Sequence, residues 1–252
     1  MVFLGVDGCR AGWLAIRLAP DNGWEVDIFR NFSQLWDRYS AASLILIDIP
    51  IGLREGNPQN GSIERQERRC DKEARKLLGP KRRSCVFRVP CRPAVYSPSY
   101  DDAIAQNEKL TGTRIFRATW NIVAKIREVD EFLSGNHLVR GSIREMHPEF
   151  CFWSLNGCQP LQYSKTQENG YLERFKLLQS VYPQSEAIID YTLSNYLRKQ
   201  VKKDDILDAL CGAITAMMGG NNLSSIPMPP EEDLKGLPME MVYFLFSFYQ
   251  YE

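Results

Sequence analysis

Five acidic residues of this chain sit where acids are costly. Asp7 closes the apolar run VFLGVD, Asp48 falls near the end of LILIDIP, Glu145 lies in SIREMHP, and Asp205 and Asp208 open the apolar pattern DDILDALCGAITAMMGG. A carboxylate held against a core needs a partner, and several carboxylates together raise one another's pKa unless cations intervene. Hard divalent ions with oxygen ligands, Mg²⁺ or Mn²⁺, meet that need. Two such ions activate a water and stabilise a leaving oxygen in phosphodiester hydrolysis, chemistry that asks for carboxylates and little else. The spacing predicts Asp7, Asp48 and Asp208 as metal ligands, with Asp7 bridging two ions, and Glu145 and Asp205 ligating or orienting water.

The elements that must position these acids can be read along the chain. Residues 2–7, 13–19 and 24–30 have strand character, the last two separated by the turn signal PDNG. Ser33 reads as the N-cap of a helix over 33–40. Residues 44–50 are a continuous branched apolar run, as in a strand buried on both faces. That order is a meander followed by a helical crossover onto a parallel strand. Residues 142–148 predict a fifth strand, with Pro148 starting the next helix. If strands one, four and five are neighbours, Asp7, Asp48 and Glu145 converge at the sheet edge where open α/β folds place their sites. Asp205 and Asp208 share a helix face, and Ala209, Leu210 and Ile214 can pack on the sheet.

Between the fourth and fifth strands, about 52–140, the character is helical and polar, so one domain over 1–252 with a helical insertion is expected. Residues 64–79 predict a charged helix closed by Gly79, and 80–98 is irregular. Helices over 99–112 and 114–135 each end at glycine. Further helices are expected at 148–157, 172–182, 191–200 and 204–220, then two Pro-rich turns and a last strand. The apolar tail VYFLFSFY (242–249) is long enough to be buried, against a second subunit in a homodimer.

Lys81, Arg82, Arg83, Arg88 and Arg92 fall in KRRSCVFRVPCR, which contains no acid. Beside a carboxylate site this is what a phosphate backbone would require, and Phe87 can stack on a base. The plainer alternative pairs these cations with Glu64, Glu67, Asp71 and Glu73 of the preceding helix. Arg10, next to Asp7 in GVDGCRAGW, is a phosphate contact at the mouth of the site or simply the ion-pair partner of Asp7. Asp48 could also just end its strand, Glu145 could face solvent, and Asp204 could cap a helix whose dipole favours Asp205.

Lys and Arg total 31 and Asp and Glu total 31, so net charge names no partner and a structured or small substrate is favoured over long duplex. The seven cysteines are odd in number and form no C-x-x-C, and there are two histidines, which argues for reduced thiols and against zinc. No run approaches a membrane span and no leader is evident, so a cytoplasmic protein is expected.

GVDGCRAGW, LILIDIPIGL, EMHPEFCFWSLNG and KKDDILDAL, together with CRPAVYSPSYDDAIAQN and WNIVAKIREVD in the insertion, resemble the family known as domain of unknown function 429. The resemblance covers nearly the whole chain. It implies a ribonuclease-H-like core, a five-stranded mixed sheet of order 3-2-1-4-5 with helices on both sides, and a predicted nuclease. Within that superfamily, Holliday-junction resolvases are the closer likeness. There a first-strand Asp, a fourth-strand acid and a D-x-x-D-A helix hold metals, matching Asp7, Asp48, Asp205 and Asp208. Resolvases usually have Glu where this chain has the shorter Asp48, a gap that Glu145 would fill.

Two other functions fit the same residues. An ATP-dependent phosphotransferase or ATPase of the actin and sugar-kinase type shares the core, and GVDGCRAGW and IDIPIG resemble its phosphate loops, although that class usually has two such domains. A non-catalytic nucleic-acid-binding module is the third. The expected partner is nucleic acid or a nucleotide-like phosphate.

Overall fold

In the computed structural model, which describes residues 1–56 and 67–245, the meander forms first. Strand β1 (Phe3–Cys9) pairs antiparallel with β2 (Gly12–Leu18), and β2 with β3 (Trp24–Phe29). The β1–β2 turn is tight because Gly12 has φ +135°, and a Cβ there would lie 2.0 Å from the Phe29 carbonyl oxygen. Helix α1 (Phe32–Tyr39) crosses over to β4 (Leu44–Ile47), which runs parallel to β1 with Val6 opposite Ile47. The α1 cap is Asn31, whose side chain accepts from Gln34 N at 2.9 Å, two residues before the expected Ser33. Asn31 offers the better acceptor geometry at the first free N–H groups.

Between β4 and β5 (Ile143–Glu145) lie α2 (Arg69–Arg82), α3 (Arg92–Val95), α4 (Tyr100–Thr111) and α5 (Arg117–Gly135). Helix α2 is interrupted at Gly79 (φ +65°) ahead of Pro80 and continues to Arg82, beyond the predicted stop. The expected start of that helix, residues 64–66, lies outside the described residues. After β5 come α6 (Pro148–Leu155), α7 (Glu168–Val181), α8 (Ser185–Asn195) and α9 (Lys203–Gly219). Helix α8 begins and ends earlier than its apolar spacing predicted. The tail forms two strands, β6 (Ser224–Glu232) and β7 (Pro238–Tyr243), where one was expected. Val242 is buried within the chain itself, packed with the α9 cluster, and residues 246–249 of the apolar tail lie outside the described residues.

The five-stranded sheet has the order β3-β2-β1-β4-β5, that expected of a ribonuclease-H-like core. Side chains alternate between its two faces. Leu4, Val6, Ile45, Ile47 and Ile143 pack in one cluster with residues of α1 and α5. Phe3, Leu44, Leu46 and Met146 pack in another with α6 and α9. No helix among the described residues is long and apolar enough to cross a membrane.

Candidate functional site

The alternation of the strands decides which acids meet. Asp7 follows the parity of Phe3 and Gly5, and Asp48 that of Leu44 and Leu46, so both face α9. The chains stay in register past the end of β4, where Asp48 N donates to Val6 O at 2.9 Å. Helix α9 supplies the third carboxylate because it lies directly on β1. A Cβ on Gly5 would sit 1.9 Å from Ala209 O and 2.1 Å from Ala213 N, and one on Gly212 would sit 3.2 Å from Gly5 Cα. Asp208, one residue before that contact, is thereby held beside Asp7. Asp7, Asp48 and Asp208 each offer one oxygen, and all three oxygens lie within 4.8 Å of one another.

The trio opens into a cleft of about 270 Å³, whose wall includes Phe87, Lys125, His147 and Lys165. Burial pushes Asp7 well above the usual carboxylate range, and the charges of Asp48, Asp208 and Asp205 push it further. Asp48 is pushed up to about 8, by burial first and by Asp208 next, with Lys165 pulling the other way. Lys165 Nζ donates to Asp208 Oδ2 at 2.8 Å, and that contact with Asp208 raises the lysine's own pKa. Among the described residues Lys165 alone bonds a member of the trio, and carboxylates raised by one another are ones that a cation would relieve. Three hard oxygen donors in such surroundings fit Mg²⁺ or Mn²⁺.

Lys125, Lys165 and His147 went unnoticed in the sequence. Lys125 bonds the Gly12 carbonyl and its ammonium lies 4.4 Å from the centre of the Trp13 ring. Burial lowers its pKa. His147 Nε2 is 3.3 Å from the Cys85 carbonyl oxygen, and burial lowers its pKa as well. His147 stands inside the quoted EMHPEF motif and Lys125 inside WNIVAKIREVD, signals that were present; Lys165 sits in a pattern that marks nothing.

Glu145 does not join the trio. It pairs with Ile47 across β4 and β5 and so shares the face of Ile143, opposite to that of Asp7 and Asp48. There Arg68 grips both of its oxygens at 2.7 Å, and Ile51 N donates to Oε2 at 2.6 Å. Arg68 also holds Asp71, at 2.6 and 3.1 Å. Asp205 lies at the third position of α9, where its Oδ2 accepts from Lys202 N at 2.9 Å. It caps the helix, which starts at Lys203, so Asp204 is inside it and does not serve as the cap. Burial pushes Asp205 up to about 6.

The arginine segment divides. Arg82 is buried, donating to Leu161 O at 2.9 Å and lying 3.2 Å from Glu149. Arg92 is buried among Glu55, Asp130 and Asp233. Both are structural, because their chain positions point into the protein and not along its surface. Lys81, Arg83 and Arg88 are exposed. Of the acids expected to pair with this segment, Glu67 lies 3.5 Å from Arg88, whereas Asp71 and Glu73 pair with Arg68 and Arg69; Glu64 lies outside the described residues. Arg10 is exposed at the β1–β2 turn and pairs with no carboxylate among the described residues, Asp7 included.

No curated protein and no solved structure matches the chain. The family model described as "Protein of unknown function (DUF429)" matches residues 5–232, a span that takes in all three clustered aspartates, and the chain belongs to that family.

Proposed function

We propose that the protein is a metal-dependent nuclease. The observation that carries this reading is the trio of Asp7, Asp48 and Asp208, Asp7 and Asp208 buried and Asp48 partly so, one oxygen from each within 4.8 Å, lining a cleft. Their carboxylates would hold Mg²⁺ or Mn²⁺, two ions being expected. The bound ions would offset phosphate charge and lower the pKa of a water.

The chain's own groups divide the remaining work. Lys165 occupies an Asp208 oxygen in the metal-free protein, and once a metal takes that oxygen its charge, with that of Lys125 on the same cleft, attracts the phosphodiester. Phe87 and Pro50 form apolar walls that keep bulk water away from the carboxylates. In the hydrolysis a water oxygen bonds to phosphorus, the bond from phosphorus to the leaving sugar oxygen breaks, and the water's proton ends on that oxygen.

The test is twofold. Wild type should bind Mn²⁺ in calorimetry and cleave oligonucleotides with Mn²⁺ or Mg²⁺. Asp7→Asn should weaken Mn²⁺ binding by more than about tenfold, the lower bound for losing a group that merely supports a ligand, and should abolish cleavage. Absence of cleavage of every nucleic-acid form, or unchanged cleavage by Asp7→Asn, would overturn the reading. Tight binding of ATP with Mg²⁺ in the same calorimeter would favour the phosphotransferase alternative.

A further inference from the structure

A second, larger cleft of about 930 Å³ meets the carboxylate cleft at Phe87. Arg75, Lys76, Arg83, Arg88 and Arg114 line it, and no acid does among the described residues. In a protein whose net charge is zero, this is a strongly polarised surface. Some of its charge is engaged. Arg75 bonds Glu67 and donates to Val86 O at 3.1 Å, Arg88 lies 3.5 Å from Glu67, and Arg114 lies 4.0 Å from Glu108. Lys76 and Arg83 are exposed and pair with no carboxylate among the described residues.

Two aromatic rings lie on the same wall. Phe116 is 76 % exposed, an unusual position for a large apolar side chain outside any core cluster. Phe87 lines the basic cleft and the carboxylate cleft alike, so the two meet at its ring. Neither ring contacts another aromatic side chain among the described residues. Cations that follow a backbone, interleaved with rings whose faces are free, are what an unpaired polynucleotide requires, because its bases are available to stack. In a duplex those bases stack on one another and would leave both rings unused.

We infer that the cleft bordered by Arg83, Arg88, Phe87 and Phe116 binds single-stranded nucleic acid and leads its backbone past Phe87 to Asp7, Asp48 and Asp208. The inference deepens the nuclease reading and rests on it for the direction of the strand, but binding is measurable without cleavage. It also revises the role of the basic segment. Arg83 and Arg88 remain substrate contacts, Arg82 and Arg92 do not, and Arg75, Lys76 and Arg114 from α2 and from the turn before α5 join them.

The experiment is fluorescence anisotropy with labelled DNA and RNA oligonucleotides of about twelve nucleotides, within the span one such platform covers, single-stranded and as duplex, without divalent metal. Single strands should bind at least tenfold more tightly than duplex, and the DNA and RNA arms identify which polymer is preferred. The salt dependence should be shallow, a log-log slope no steeper than about −3.5 for five cations. The double variant Arg83→Glu/Arg88→Glu should bind at least tenfold more weakly, and Phe116→Ala about fivefold or more weakly. All of these positions are exposed, and circular dichroism melts check that the variants fold.

Duplex binding equal to single-strand binding, undiminished binding by the charge-reversed variant, or no binding of any oligonucleotide overturns the inference. Binding without cleavage upholds the cleft and removes the nuclease. Cleavage with KM unchanged in the charge-reversed variant does the opposite.

Discussion

Asp48 and Glu145 are neighbours at one edge of the sheet, yet their surroundings differ in kind. At Glu145 burial raises the pKa and the next influence, Arg68, opposes it, helped by the Ile51 N–H. At Asp48 burial is followed by another carboxylate, Asp208, which raises it further, and the half-exposed Lys165 is the largest influence that opposes it. One acid has an arginine built around it and the other has a cleft. Strand-edge acids of similar sequence signature thus become either a structural ion pair or an unfilled demand for positive charge, and the side of the sheet they face decides which.

Breaking the compensated side should have the largest effect on stability. Arg68→Met leaves Glu145 and Asp71 buried without their cation, and should cost about 3–5 kcal/mol in urea unfolding. Asp48→Asn, which relieves repulsion, should be neutral or stabilising in the metal-free protein. A cost below about 1 kcal/mol for Arg68→Met would mean that the two regions do not differ as described.

The pH dependence should be intermediate in size. Asp48 titrates near 8 when folded, against an ordinary 3.8, and Asp7 and Asp205 shift in the same direction. Between those values the folded chain holds protons that the unfolded chain has lost, so stability falls as pH rises from about 4 to about 8. Denaturation midpoints of the metal-free protein should therefore fall across that window, and saturating Mn²⁺ should flatten the slope by taking the protons' place. A metal-free midpoint that rises with pH contradicts the uncompensated trio.

The smallest effect should come from Lys165→Met. Lys165 is 46 % exposed at its side chain, so losing its pair with Asp208 should change stability by less than about 1 kcal/mol. Its removal frees an Asp208 oxygen, and Mn²⁺ affinity measured by calorimetry should rise several-fold. Weaker Mn²⁺ binding would show that the lysine organises the trio and does not compete with a cation for it.

Much of this arrangement is legible in the chain. The unbroken run LILI marks β4 as buried on both faces, the PDNG turn separates β2 from β3, and the order of elements leaves few sheets to choose from. Asp7 and Asp208 stand out because acids interrupt apolar patterns there. The fate of Glu145 was not legible, since it depends on register. Had β5 slipped by one residue against β4, Glu145 would face α9 and Met146 would not. Arg68 is equally opaque, being one of several basic residues in ERQERRCDKEARK, and only the folded chain shows that it turns inward while Arg69 stays at the surface. Lys165 lies in a loop with no pattern at all.

The contact between Gly5 and the Ala209–Ala213 stretch of α9 has a bearing on how the protein is made. Synthesis delivers Asp7 and Asp48 early and Asp208 late, after α2 to α8 have emerged. Until α9 exists, the face of β1 that carries Asp7 has no cover, and two of the three carboxylates have nothing to complete them. The trio is therefore completed by a helix translated after all five strands of the sheet, and a chain halted before it holds two of the three carboxylates.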